Sequence, residues 1–363
     1  MNFRLLITGG GTGGHVSPGL GVAREWQARH GKESVAWAGR PGSLEERMVV
    51  KAGLKFFSLP AAALKRGFYL GNLRLPWVLF QGTLAARRLL RAEGVAAVLM
   101  TGGYVGVPLS FAAASLKVPL VLMEPNAVPG LANRLLMPLA QRMCLAYPPV
   151  RARPKQRLTG TPSRLNKLPS KALALKNLGL LKGRRTLLIL PGSQAARSIN
   201  AALLDALPRL EDQAKKWQVL WMCGPKDEAA SQALCRSFKV PTRALGFIDD
   251  VASAYAAADL VLCRSGASTL AELSIAHKPS VQVPYPHATG DHQRANAHAF
   301  AANGAAEIIE DAQMNGLVLE ASLRKMLGSA RKLNTMAEAA KRLAKPQAAQ
   351  AVADVLEEQC LTN

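Results

Sequence analysis

The chain switches, within a few residues of its start, from an apolar run to nearly unbroken glycine. Leu5-Leu6-Ile7 is followed by Thr8-Gly9-Gly10-Gly11-Thr12-Gly13-Gly14-His15. Two or three glycines suffice where a turn only packs a helix against a strand; here five of the six positions from 9 to 14 are glycine. Glycine admits backbone conformations that a side chain forbids and lets another molecule approach the main chain. The apolar run reads as a buried parallel strand. Pro18 leads into a periodic stretch ending at His30-Gly31. Strand, glycine turn and helix in that order leave free N–H groups at a helix N-terminus, which suits an anion such as a phosphate. His15 stands at the rim of the turn, where a side chain can meet a substrate.

Gly9-x-Gly11-x-x-Gly14 satisfies the dinucleotide fingerprint literally, but such a site also wants an acidic residue at the end of the second strand. That strand, Ser34-Val35-Ala36-Trp37-Ala38, ends in Gly39-Arg40, which offers no carboxylate, although Arg40 suits a 2′-phosphate. No Gly-Lys-Ser/Thr follows the turn, so a P-loop is excluded.

Strand and helix signals then alternate. Strands are expected at 4–8, 34–38, 95–100, 119–123 and 142–145, with helices such as 84–93 and 108–117 between them. A proline-bearing basic loop, 148–154, lies near the end of a first domain. The pattern restarts with a strand at 186–190, the turn Pro191-Gly192-Ser193-Gln194 and a helix from Ala195 to about Leu207, then strands at 218–223, 259–263 and 279–283. The expected architecture is α/β: two Rossmann-like parallel-sheet domains facing across a cleft, with ligands beyond the carboxyl ends of the strands. The divisions expected are 1–160, 161–344 and a C-terminal helical segment, 345–363, returning to the first domain.

The 363 residues suffice for two domains, and 49% hydrophobic content describes a globular chain. No apolar run is long enough to span a bilayer, and the first strand begins too early to leave room for a signal peptide. Five widely spaced cysteines without Cys-x-x-Cys point to a reduced cytoplasmic setting and no zinc site. The net charge of +22 suits a polyanion. Few aromatics and no nucleic-acid module disfavour nucleic acid and leave an anionic membrane or a generally basic surface.

Unusual residues collect at the strand ends. They are Thr101-Gly102-Gly103-Tyr104, Glu124-Pro125-Asn126, Arg264-Ser265-Gly266 before a helix carrying Glu272, and Pro284-Tyr285-Pro286 before His287, His292 and Gln293. An arginine beside a helix N-terminus reads as a diphosphate clamp. A glutamate in the following turns can accept both hydroxyls of a ribose. The plainer alternative for Glu272 is a surface carboxylate paired with Lys278. Asp249-Asp250 read as a helix N-cap before Val251. His277 and His298 read as ordinary helical residues, and no Asp-x-Asp indicates a metal-bridged sugar nucleotide.

Gly10-Gly11-Thr12-Gly13-Gly14-His15, Gly102-Gly103-Tyr104-Val105, Phe247-Ile248-Asp249-Asp250, Cys263-Arg264-Ser265-Gly266-Ala267 and Asp291-His292-Gln293 with Asn296 resemble the MurG family. These are bacterial UDP-N-acetylglucosamine:lipid I transferases that make lipid II for peptidoglycan. The resemblance covers nearly the whole chain in motif order. It implies the GT-B glycosyltransferase architecture and an inverting, metal-independent transfer with no cofactor. It implies that Thr12, Gly13, Gly14 and Asn126 contact the donor sugar, and that Arg164 and Ser193 approach the nucleotide and its phosphates. Ile248 would present backbone groups to uracil, and Ala267, Ser268, Thr269, Leu270 and Ala271 would wrap the diphosphate with Arg264. Glu272 would hold the ribose and Gln293 would read sugar hydroxyls. The base would be His15, with Glu124 as a second candidate. Met123, Pro125, Pro191 and Ala195 depart from the family pattern.

An NADP-dependent oxidoreductase leaves the second turn and Arg264 unexplained. A basic protein that binds a nucleotide sugar without turnover leaves His15 unexplained. The implied partners are UDP-N-acetylglucosamine, lipid I, an anionic membrane surface at the cytoplasmic face of the inner membrane and other cell-wall enzymes, with no nucleic acid. Docking is expected through 64–80, with Lys65, Arg66 and Arg74 on headgroups and Phe68 and Trp77 in the interfacial layer. The alternative is that Leu73, Trp77 and Phe80 pack inward as one helix face.

Overall fold

The computed structural model describes residues 4–62, 73–149, 151–165, 167–192 and 196–361. It resolves into two compact units, Met1–Arg164 with Lys345–Asn363, and Leu165–Ala344. In the first, β1 (Arg4–Thr8), β2 (Val35–Gly39), β3 (Lys55–Ser58), β4 (Val95–Met100), β5 (Leu120–Glu124), β6 (Arg142–Leu145) and β7 (Gln156–Leu158) form one sheet in the order β3-β2-β1-β4-β5-β6-β7. Every pairing is parallel. Its helices are α1 (Gly13–His30), α2 (Leu44–Lys51), α3 (Leu75–Ala92), α4 (Val107–Ser115) and α5 (Leu131–Leu136). Alternate strand residues face opposite sides. Leu5 and Ile7 join Trp26 and Trp37 in one core, and Leu6 joins Ala86, Leu90 and Leu109 in the other. A strand covered on both faces must be apolar throughout, as Val35–Gly39 is, with all five residues buried.

The second unit repeats the design. Its strands are β8 (Arg185–Leu190), β9 (Trp217–Met222), β10 (Thr242–Leu245), β11 (Leu260–Cys263), β12 (Ser280–Gln282) and β13 (Ala306–Ile308), in the order β10-β9-β8-β11-β12-β13. These pairings are also parallel. The helices are α6 (Lys171–Asn177), α7 (Arg197–Arg209), α8 (Glu228–Cys235), α9 (Val251–Ala257), α10 (Ala267–Ile275), α11 (His292–Ala301), α12 (Gly316–Leu327) and α13 (Ala330–Arg342). Leu187 and Ile189 pack with Trp217 and Trp221 on one face, and Leu188 with Tyr255 and Phe300 on the other. Both tryptophans satisfy their buried N–H: Trp217 donates to Leu327 O at 3.2 Å and Trp221 to Asn200 Oδ1 at 3.0 Å. Asp250 caps α9 by accepting from Ser253 N at 2.9 Å, and hydrogen bonds from the Ser253 side chain and backbone hold its carboxyl below the usual range.

The chain then returns to the first unit as α14 (Ala348–Leu361). Val352, Ala353 and Leu356 enter the core that holds Trp26. Arg29 of α1 reaches Asp354 at 2.6 Å and Glu357 at 3.1 Å, and His30 meets Glu357 at 2.8 Å.

The strand orders locate the candidate sites. In the first sheet the chain leaves β1 outward through β2 and β3, then crosses to β4 on the other side of β1. The second sheet reverses in the same way between β8 and β11. Such switch points open a crevice beyond the carboxyl ends of the two strands. The first lies beyond Thr8 and Met100, the second beyond Leu190 and Cys263.

Candidate active site

At the first switch point the glycine turn and the Gly102-Gly103 motif meet. Gly10 N donates to Gly102 O at 3.2 Å. His15, in the first turn of α1 and half-buried, lays its ring on this second motif. A Cβ on Gly102 would stand 2.8 Å from His15 Cδ2, and one on Gly103 would stand 2.3 Å from Gly10 O. Both glycines also have φ values, +109° and +83°, that L side chains rarely adopt. Gly13 and Gly14 differ. A Cβ on Gly13 meets nothing within 4 Å, and one on Gly14 only Thr12 Oγ1 at 3.7 Å. Packing leaves these two unexplained, whereas a ligand close to the N-terminus of α1 accounts for them.

His15 Nδ1 lies 3.0 Å from Gly10 O and 3.3 Å from Thr12 Oγ1. A carbonyl oxygen only accepts, so Nδ1 carries the proton and the lone pair of neutral His15 resides on Nε2.

Glu124, expected as a second candidate base, stands at the end of β5. It is 2% exposed. Its Oε1 accepts from Asn126 N at 3.0 Å and Asn126 Nδ2 at 2.9 Å. Its Oε2 accepts from Gly130 N and Asn133 Nδ2, each at 2.9 Å. A buried carboxylate that takes four donors is engaged as a brace. It fixes the loop that carries Asn126.

At the second switch point stands Arg264, expected as a diphosphate clamp. Its guanidinium donates to Asp311 Oδ1 at 2.6 Å, Ser198 Oγ at 3.2 Å and the carbonyls of Val283 and Pro284 at 3.1 and 3.3 Å, and it lies 5.5 Å from the centre of the Tyr285 ring. Its charge is met by Asp311 and its donors join the strand-end loops. In these contacts Arg264 fastens the strand-end loops. Beside it, α10 begins at Ala267 with no side-chain cap. Ser265 Oγ and Ser268 Oγ are buried there without a partner among the described residues. Free N–H groups and idle hydroxyls at a helix N-terminus suit an anion.

Gln293 Oε1 accepts from Ser265 N at 3.2 Å and Tyr285 N at 3.0 Å, tying two strand-end loops together. Glu272 is 6% exposed and accepts from Tyr255 OH at 3.1 Å. The surface pairing with Lys278 is not formed: Lys278 Nζ donates to Ala258 O at 2.8 Å. The Ile248 side chain is 2% exposed, while its backbone makes no hydrogen bond among the described residues. Thr12 and Arg164 are exposed. Ser193 and the docking residues Lys65, Arg66 and Phe68 lie outside the described residues.

The cysteines carry no obvious chemistry. All five are free, and burial pushes the thiols of Cys144 and Cys263 up to about 12. Among the described residues no cluster of three His, Cys, Asp or Glu is placed to hold a metal ion. Sequence reasoning missed Glu45, Tyr255, Ser198 and Asp311, which touch the expected residues from distant parts of the chain.

Comparison with known proteins places these features in a family. Residues 5–145 match the Glycosyltransferase family 28 N-terminal domain and residues 186–352 its C-terminal domain. The UDP-N-acetylglucosamine--N-acetylmuramyl-(pentapeptide) pyrophosphoryl-undecaprenol N-acetylglucosamine transferase of Pseudomonas fluorescens is 40% identical over 360 residues, 98% of each chain. The transferase of the same name from Pseudomonas putida is 40% identical over 97% of this chain and 96% of its own. The crystal structure of Acinetobacter baumannii MurG aligns with a TM-score of 0.81 at 30% identity, covering 98% of this chain and 99% of that one. The calicheamicin glycosyltransferase CalG4 shares the fold, with a TM-score of 0.70 at 14% identity over 99% and 98% of the two chains. The chain therefore belongs to the MurG family of N-acetylglucosamine transferases.

Proposed function

We propose that this protein transfers N-acetylglucosamine from UDP-N-acetylglucosamine to the muramoyl sugar of undecaprenyl-diphosphate-linked lipid I, giving lipid II. The observation that carries the mechanism is the hydrogen bond from His15 Nδ1 to Gly10 O, 3.0 Å long. It leaves Nε2 as a lone pair at the rim of the glycine turn. His15 Nε2 takes the proton from the attacking acceptor hydroxyl. The oxygen forms its bond to the anomeric carbon as the bond to UDP breaks, and the centre inverts. UDP leaves with the bonding electron pair.

The N-terminus of α10, with Ser265 and Ser268, receives the charge that develops on the diphosphate. Arg264 holds the surrounding loops in place beside that terminus. This arrangement supports transfer without a metal. Glu272 exchanges its Tyr255 partner for the ribose hydroxyls, and the open backbone of Ile248 faces uracil. Thr12, Gly13, Gly14, Asn126 and Gln293 contact the sugar, and Arg164 and Ser193 approach the nucleotide.

The enzyme works as a peripheral protein on the cytoplasmic face of the inner membrane. No helix among the described residues is long and apolar enough to cross a membrane. Leu73 is 78% exposed, Trp77 61%, Phe80 54% and Leu84 40%. Trp77, Phe80 and Leu84 follow one another at helical spacing on the exposed face of α3, with Leu73 just before it, which supports the outward reading of this stripe. Trp77 and Phe80 stack at 5.8 Å. Arg74 precedes α3, and Arg88 and Arg91 continue the same face; all three are exposed. An apolar stripe bordered by arginines suits insertion among anionic lipids.

A thermal-shift screen tests the donor assignment. Stabilisation by UDP well above that by ADP or NADP is expected. Equal shifts, or a preference for NADP, would contradict it.

A further inference from the structure

The mechanism above makes no use of Glu45, a carboxylate that is only 1% exposed. Ser43 caps α2 by accepting from Glu46 N at 3.2 Å, and Glu46 Oε2 accepts from Gly42 N at 2.6 Å. The two neighbouring glutamates divide the work. Glu46 closes the helix end, and Glu45 crosses to the glycine turn, where its Oε2 accepts from Gly11 N at 3.3 Å. The turn fits closely around it: a Cβ on Gly10 would stand 2.5 Å from Glu45 Cδ, and one on Gly39 3.2 Å from its Cγ.

Gly11 N–H and Gly10 C=O belong to the same peptide group, which is trans like the others among the described residues. The two therefore point in opposite directions. Glu45 accepts from one end at 3.3 Å and His15 Nδ1 donates to the other at 3.0 Å. A carboxylate pulling on the N–H polarises the amide and makes its carbonyl a stronger acceptor. A stronger acceptor at Nδ1 favours the tautomer with its lone pair on Nε2. Glu45 Oε1 is buried and meets no donor among the described residues, so no second donor competes for the charge.

We propose that Glu45 is a positioning residue that acts on His15 through the Gly10–Gly11 peptide, setting the imidazole's tautomer and orientation. The inference rests on the reading of His15 as the base. It extends the usual base-and-orienter pair by interposing one peptide group.

The test uses Glu45→Ala and Glu45→Gln in the full chain. Nitrogen-15 NMR of the His15 ring reads the tautomer directly and needs no turnover. The wild type should show the Nδ1–H form, Glu45→Ala a shift toward Nε2–H, and Glu45→Gln an intermediate. In steady-state assays Glu45→Ala should lose about 10–100-fold in kcat, less than the roughly 10²–10⁴-fold of removing a general base itself, with donor KM unchanged. Glu45→Gln should recover part of that loss. If Glu45→Ala does not fold, Glu45→Gln carries the test, since it keeps the volume and an oxygen for Gly11 N–H. An unchanged tautomer in the folded variants would overturn the proposal, whatever their activity. A wild type unable to transfer N-acetylglucosamine would instead defeat the functional reading, and the NMR result would still decide this one.

Discussion

Glu124→Gln separates the brace from the base. Glutamine keeps one oxygen and replaces the other with an NH2 group. If the amide turns its oxygen toward Asn126, Gly130 N and Asn133 Nδ2 face a donor; if it turns the other way, both donors of Asn126 do. Either orientation forfeits two hydrogen bonds to a charged acceptor, each worth about 1.5–3 kcal/mol. Local relaxation brings the expected loss to the lower end, about 3 kcal/mol. At roughly 2–4 °C per kcal/mol for a unit of this size, the melting transition of the first unit should fall by about 6–12 °C. Differential scanning calorimetry reads it, with UDP present to mark the second unit's transition. Donor KM should rise, because Asn126 loses its support, while kcat per folded enzyme changes by less than about tenfold. A variant that melts like wild type yet loses about 10²–10⁴ in kcat would refute this reasoning and restore Glu124 as a base.

Other perturbations address the nucleotide, the membrane and a buried cation. Glu272→Gln should weaken UDP by about 1.5–3 kcal/mol and 2′-deoxy-UDP by much less, since a charged hydrogen-bond partner is lost only where the hydroxyl is present; equal losses in calorimetric titration would make Glu272 purely structural. Trp77→Ser with Phe80→Ser should reduce co-sedimentation with anionic vesicles at any salt, and Arg74, Arg88 and Arg91→Ser should reduce it chiefly at low salt. Wild-type binding by both variants would move docking to another surface. Burial lowers the Lys278 ammonium from 10.5 to about 8. The unfolded chain therefore binds more protons between these values, and stability rises with pH across that window. The stability of Lys278→Met minus that of wild type should decrease by about 2–3 kcal/mol between pH 7.5 and pH 10.5, read by urea unfolding; a constant difference would contradict the burial cost.

The strands visible in the sequence are the central ones. Val95–Met100 and Arg185–Leu190 are covered on both faces, so their apolar runs are nearly continuous. The four strands missed, β3, β7, β10 and β13, are the edges of the two sheets. They are three or four residues long and largely exposed or half-buried, which leaves little apolar signal. Helix α3 begins at Leu75, well before the expected 84, because its apolar stripe faces outward and reads poorly as a core pattern. At the site, residue positions were legible because strand ends and glycines mark them. Partnerships were not. Glu45 and Glu46 are adjacent, and local pattern does not say which one turns inward. The Arg264–Asp311 pair is hidden in the sequence because its two members lie 47 residues apart. Three of the four donors to Glu124 are hidden in the same way, because Gly130, Asn133 and the backbone of Asn126 are brought together only by the folded loop.

The central claim is that His15 Nε2 serves as the base for transfer to the lipid-linked acceptor. The direct measurement is single-turnover transfer of labelled N-acetylglucosamine to lipid I by wild type and His15→Ala, with UDP affinity measured on the same preparations. Wild type should give one disaccharide product per UDP released, and the variant a rate lower by about 10²–10⁴ with nearly equal UDP affinity. Wild-type-like transfer by His15→Ala, or UDP release without a disaccharide product, would contradict the claim.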